Sequence, residues 1–268
     1  MKRESKSIRP ECGLEGLIRK KIYGFSFNRS SLKSQCEGVC ENLSELIKFT
    51  KAPGRSREFR LKIERTEEVP KPIERRLEKA IWSAANKNPS VIQLGSICAK
   101  IHSYQFPITR HKDAMSTAEV KAINEGWEGS KIDLLGVDGH GFPVVLELKK
   151  TGKGSSNPVH MVVEAALYGV AVKQMWPAIL PEWKQAFVGD DVPPVPLETC
   201  RLIGIAPQEY WEQWYGDKSQ QCLWERLKRL CLGLAEHGLP ISFASFTHGE
   251  LDGPLPEIRD LRLIPLPD

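Results

Sequence analysis

Three charged side chains lie close together in the stretch KIDLLGVDGHGFPVVLELKK, which runs from Lys131 to Lys150: Asp133, Glu147 and Lys149. Two carboxylates held at short range repel each other and are costly to desolvate unless a cation joins them. Paired hard oxygen donors suit Mg2+ or Mn2+. An ammonium beside them can orient a water or stabilise charge developing on a phosphoryl group. A divalent cation so placed polarises the phosphoryl oxygen and lowers the pKa of the attacking water. The chemistry to expect of this trio is metal-assisted hydrolysis of a phosphodiester.

That chemistry requires the three groups to share a face. The stretch reads as a β-hairpin with one strand over 131–137 and the other over 142–149. A loop of 139–141 would put Gly141 in the left-handed conformation that such hairpins favour. In that register Asp133 sits directly opposite Glu147, with Cβ atoms roughly 5 Å apart. Lys149, two residues on, lies on the same face. A slip of one residue would send the carboxylates to opposite faces. Ile132, Leu134, Val144, Leu146 and Leu148 make the other face apolar, which suits a strand inside a sheet.

Two helices flank the hairpin in sequence. Residues 71–86 repeat Ile73, Leu77, Ile81 and Ala84 at helical spacing, with Pro72 in the first turn. Glu74 and Glu78 share a face beside that stripe. After the loop 151–157, Asn157 can cap a helix that Pro158 starts. His160 in its first turn reads as a surface or packing residue.

Asp133 followed by Glu147-Leu148-Lys149 resembles the signature of the PD-(D/E)xK nuclease superfamily. LEKAIWSAANKNPSVI and the hairpin together resemble the nuclease half of RecB-like and mismatch-directed members. The likeness covers residues 73–172. It implies that Asp133, Glu147 and Glu78 hold Mg2+ or Mn2+, Glu78 being preferred to Glu74, and that Lys149 completes the catalytic set. Glu164 and Tyr168 match the family's Q-x-x-x-Y spacing, with Glu in place of Gln, and Gln105-Phe106-Pro107 matches its Gln-x-Pro stretch. The resemblance therefore implies substrate contacts at Glu164, Tyr168 and Gln105. Lys150 and Lys153 are candidates for the phosphate backbone. The substrate expected is DNA, and the fold a restriction-endonuclease-like α/β core, a mixed central β-sheet flanked by helices. A nuclease fold that only binds nucleic acid is the alternative, and a buried salt-bridge cluster a third.

The rest of the chain frames this reading. Its 268 residues suffice for a sizeable core. Residues 1–80 hold 20 Lys/Arg against 12 Asp/Glu, a balance that suits a polyanion. Residues 1–69 read as a small basic α/β extension, with a helix capped near Ser30 and Ser31, and residues 70–268 as the nuclease-like domain with C-terminal α/β additions. Seven scattered cysteines favour free thiols. No apolar run reaches the roughly 18 residues of a membrane span, and no signal peptide is evident, so a cytoplasmic protein is expected. The sequence does not set the oligomeric state, and a homodimer is compatible with it. Residues 90–110 read as a turn or short helix and then a strand, and 116–125 as a helix. The proline-rich stretch 177–198 reads as a connector with a short helix at 182–187. Beyond it, strands are expected at 200–206, 241–247 and 257–264, with helices at 209–215 and 221–237. Trp211, Trp214 and Trp224 are read as core or lid.

Overall fold

The computed structural model describes residues 43, 47, 70, 72–87, 92–108, 130–152, 157–186, 197–215, 221–251 and 255–266. The elements are α1 (Ile73–Lys87), β1 (Ile92–Leu94), β2 (Ile97–Pro107), β3 (Lys131–Asp138), β4 (Pro143–Leu148), α2 (Pro158–Ala186), β5 (Arg201–Pro207), α3 (Gln208–Tyr215), α4 (Gln221–Glu236), β6 (Ile241–His248) and β7 (Ile258–Ile264). The strands form one seven-stranded mixed sheet in the order β1 to β7. β1 through β4 are an antiparallel meander. β4, β5 and β6 are parallel, and β7 returns antiparallel. Parallel neighbours need crossovers, which α2 and then α3 with α4 supply.

Two apolar layers hold the helices to the sheet. Leu77, Ile81 and Trp82 of α1 pack against Leu134, Val144, Leu146 and Leu148, together with residues of β1, β2, β5, β6 and β7. α1 lies directly against β2, β3 and β7, so the sheet curls around it. The curl brings the edge strands β1 and β7 together: a Cβ placed at Gly95 would lie 2.8 Å from Leu263 Cδ1. The other face packs against α2, α3 and α4 through Val159, Val162, Trp176, Trp183, Trp211 and Leu227 among others. Trp211 and Trp224 are core residues, and Trp214 packs partly buried against them. Leu43 and Ile47, both helical, join this second layer.

The hairpin adopts the counted register. Leu134 pairs with Leu146, Leu135 with Val145, Gly136 with Val144 and Val137 with Pro143. Asp138 N–H donates to Phe142 O at 2.9 Å, and Gly141 N–H to Asp138 O at 2.9 Å. Gly141 has φ +84°, a conformation that costs a side-chain-bearing residue about 1–2 kcal/mol. Gly141→Ala should therefore lower the unfolding free energy by about that much, measured by urea denaturation with an unchanged m-value. The Asp138 carboxylate also fixes the turn. Its Oδ1 accepts from His140 N–H and Phe142 N–H, both at 2.9 Å, while Oδ2 pairs with Arg201 at the start of β5.

Several sequence expectations need correction. Residues 92–94 are a strand turning at Gly95 into β2, not a helix. No connector begins at 177: α2 runs 29 residues through Pro177 and Pro181. Both prolines lie on its exposed face, where the backbone acceptors they leave unbonded can turn to water. Trp176, Ile179 and Trp183 hold the opposite side fully buried. In α1, Ile73 and Ala84 are exposed, so the buried stripe is Leu77 and Ile81 with Ala80 and Trp82. Ile132, with its β2 partner Phe106, packs with the α2 layer rather than with Leu134 and Tyr104. The helix expected at 116–125, and the N-terminal region except Leu43 and Ile47, lie outside the described residues. Cys98, Cys200 and Cys231 are free. No described helix is long and apolar enough to cross a membrane.

Candidate functional site

The site forms where β3 and β4 part. Beyond Leu134 and Leu146 the antiparallel ladder stops. Leu148 N–H is bonded instead by Asp133 Oδ2 at 2.8 Å, and Lys149 N–H by Ile205 O of β5 at 3.0 Å. β4 therefore stays with β5 while β3 departs, and Asp133 and Glu147 line the gap. Glu147 is buried and Asp133 half-buried. Lys149, just after β4, is buried with them. Its Nζ lies 2.6 Å from Glu147 Oε1 and 2.6 Å from Glu164 Oε2.

Glu78 comes from α1. Its neighbours Leu77 and Ile81 are drawn into the concave side of the sheet, which carries Glu78 inside as well. Gln105 Nε2 donates to Glu78 Oε2 at 2.5 Å. Gln105 is opposite Asp133, between the pairs Tyr104 with Leu134 and Phe106 with Ile132. It has φ +51°, an uncommon backbone for a residue with a side chain and one that concentrates at functional sites. Its amide nitrogen donates to Glu78, and the side chain is half-buried. Glu74 is only half-buried, which leaves Glu78 as the α1 carboxylate of the site.

α2 supplies the remaining wall. Asn157 Oδ1 accepts His160 N–H at 3.0 Å and caps the first turn. Glu164 then reaches Lys149 with one oxygen and His160 with the other, Oε1 to Nε2 being 3.3 Å. Tyr168 is one turn further along and buried. Lys150 is half-buried, and Lys153 lies outside the described residues. His160 is the member that the sequence reading set aside. Its spacing of four from Glu164 on a capped helix was the available signal.

Electrostatics separate these groups. Burial raises Glu147 well above the carboxylate range, and Asp133 adds to it. Burial also raises Asp133, with Glu78 contributing. Glu78 is pushed to about 7, chiefly by burial. For Glu164 burial is outweighed by Lys149 and His160, which hold it at about 2. Burial alone would lower Lys149, but Glu147 and Glu164 hold it well above its ordinary value. Tyr168 is raised by burial and by Glu147. Three raised carboxyls facing one another are what an added cation would relieve.

A pH dependence follows. In the fold Glu78 keeps its proton to about pH 7, against an ordinary 4.5. The folded state then binds more protons than the unfolded one between those values, so stability falls as pH rises through them, by about 3 kcal/mol. Asp133 and Glu147 act in the same direction. Glu164 acts oppositely, but its window lies between 4.5 and about 2. Urea unfolding in EDTA should show a more stable chain at pH 5 than at pH 7.5, and the reverse order would contradict these assignments.

Among the described residues no three His, Cys, Asp or Glu side chains are gathered as a ready metal cage. The donors nevertheless fit a hard divalent ion. Glu147 Oε2 is buried without a hydrogen-bond partner among the described residues, a state that costs about 1–3 kcal/mol or more when left unrelieved. Asp133 offers a second carboxylate across the gap, and Glu78 lies close enough to raise the Asp133 carboxyl. No family model, no curated protein and no solved structure matches the chain.

Proposed function

We propose that this chain is a Mg2+- or Mn2+-dependent nuclease that hydrolyses phosphodiester bonds in DNA, on a restriction-endonuclease-like core. The observation that carries this reading is the convergence at the parted β3–β4 ends: Asp133 beside Glu147, whose Oε2 is buried and unbonded, with the Lys149 ammonium 2.6 Å from Oε1. Asp133, Glu147 and Glu78 would hold the ion, which when bound polarises the phosphoryl oxygen and makes water a better nucleophile.

The chain's own residues do the rest. Glu147 and Glu164 favour the charged form of Lys149. Its part is to place positive charge beside the phosphoryl oxygens as negative charge builds on them. Gln105 holds the Glu78 carboxylate in place. Tyr168, firmly protonated, narrows the cleft beside Glu147 and Glu164. The basic N-terminal third favours a polyanionic substrate through charge. Cleavage of plasmid and single-stranded DNA, with Mg2+ or Mn2+ against EDTA, tests the proposal, and no metal-dependent cleavage of either would defeat it.

A second reading is a nucleic-acid-binding module without catalysis. The pairing of Lys149 with both Glu147 and Glu164 favours it, since it ties the ammonium up in ion pairs. Calorimetric Mn2+ titration separates the two: binding that is lost in Asp133→Ala supports the nuclease, and no binding supports the silent module.

A further inference from the structure

Glu164 occupies a position where the superfamily that this chain resembles commonly has a neutral amide, and its surroundings show what the carboxylate does here. Its two oxygens are divided. Oε2 lies 2.6 Å from Lys149 Nζ, and Oε1 lies 3.3 Å from His160 Nε2. Lys149 Nζ is in turn 2.6 Å from Glu147 Oε1. A continuous polar chain therefore runs from α2 into β4: His160, Glu164, Lys149, Glu147. Its far end is set by the backbone, since Asn157 Oδ1 accepts His160 N–H at 3.0 Å and fixes the turn that carries the imidazole. His160, Lys149 and Glu147 are buried.

We propose that His160 is a positioning residue: by clamping one oxygen of Glu164 it turns the other toward Lys149, and so fixes where the Lys149 ammonium stands beside Glu147. This deepens the nuclease reading and rests on it for its catalytic consequence. The physical reason is competition. An ammonium between two carboxylates settles where their orientations let it. If Glu164 were free to rotate, Lys149 would collapse onto Glu147 and take up the carboxylate that the cleft needs. With His160 in place, Glu164 shares the ammonium and Glu147 keeps Oε2 available. Neither a cation ligand nor a substrate contact is needed to account for Glu164.

The test reads Lys149 directly. In the full chain labelled with 15N at lysine Nζ, a buried doubly paired ammonium gives a slowly exchanging signal, assigned by its loss in Lys149→Arg. In His160→Ala that signal is expected to shift or broaden away. In His160→Gln, whose amide can still donate to Glu164, it is expected to stay near the parent position. With DNA and Mg2+, kcat of His160→Ala should fall roughly 10–100-fold, the range seen when a supporting partner of a metal site is removed. KM should be unchanged, and His160→Gln should recover most of the loss. An unaltered Lys149 signal in His160→Ala overturns the proposal. So does its loss in both variants together with a lowered Tm, which would make His160 a packing residue. If the signal moves as expected but the parent cuts no DNA, the positioning role stands and the hydrolytic reading falls.

Discussion

Asp133→Ala is expected to leave a folded chain that no longer cleaves DNA with Mg2+, the rate falling by on the order of a thousandfold or more. A bound divalent ion supplies several kcal/mol of transition-state stabilisation, and each 1.36 kcal/mol is tenfold in rate. Removing one of two facing carboxylates forfeits most of that. The fold should tolerate the change because two effects oppose each other. Leu148 N–H loses its acceptor, at about 1–3 kcal/mol if it finds no other. Against this, the repulsion of Asp133 with Glu78 and with Glu147 is relieved. Asp133→Asn separates the terms, since it keeps an acceptor for Leu148 and removes the charge. Both variants should be inactive, with Asp133→Asn at least as stable as the parent at pH 7.5. Cleavage at the parental rate by Asp133→Ala would remove the basis for the assignment.

Lys149→Met should be the most destabilising single change at the site. It leaves Glu147 and Glu164 buried without the ammonium that both contact at 2.6 Å. Taking one partner out of a buried ion pair costs about 3–5 kcal/mol, which urea unfolding near pH 7 in EDTA would show. The deficit has a definite pH signature. In the parent, Lys149 and His160 hold Glu164 at about 2, against an ordinary 4.5. That contribution is fully present above pH 4.5 and lost as pH falls toward 2. Parent and variant should therefore converge over that window. Mg2+ should restore part of the variant's stability at neutral pH, because a cation beside Glu147 replaces the missing charge. A loss under about 1 kcal/mol would mean that the ammonium is held far more loosely than its distances imply.

The hairpin was legible in the sequence because two local signals agreed: an apolar run along 142–148 broken only by Glu147 and a glycine at the left-handed loop position. Its register then placed Asp133 against Glu147 without further information. Glu78 was not singled out by local pattern, which left it level with Glu74; only the family resemblance of LEKAIW preferred it. What local pattern did not disclose depended on tertiary surroundings. Pro177 and Pro181 signal a break wherever a helix must satisfy itself, yet α2 continues because Trp176, Ile179 and Trp183 anchor its far side. The short β1 has too few residues to alternate, and becomes a strand only because β2 is beside it. His160 carried only its spacing of four from Glu164, a signal that gains meaning once Lys149 stands on the other oxygen of that carboxylate. Gln105 matched a family pattern in sequence, but its left-handed backbone and its bond to Glu78 belong to the packed sheet.

The curl of the sheet around α1 also bears on how the molecule reaches its native state. β3 and β4 are near neighbours in sequence, so Asp133 and Glu147 can meet early, at the small entropic expense of a short loop closure. Glu78 meets them on a different schedule. α1 is held by β2 and β3 on one side and by β7, from the far end of the described unit, on the other. Such non-local contacts are slow to form. The two facing carboxylates thus belong to the part of the chain that orders first, and the third belongs to the step that closes the fold. Refolding should therefore bring Asp133 and Glu147 together before Glu78 joins them.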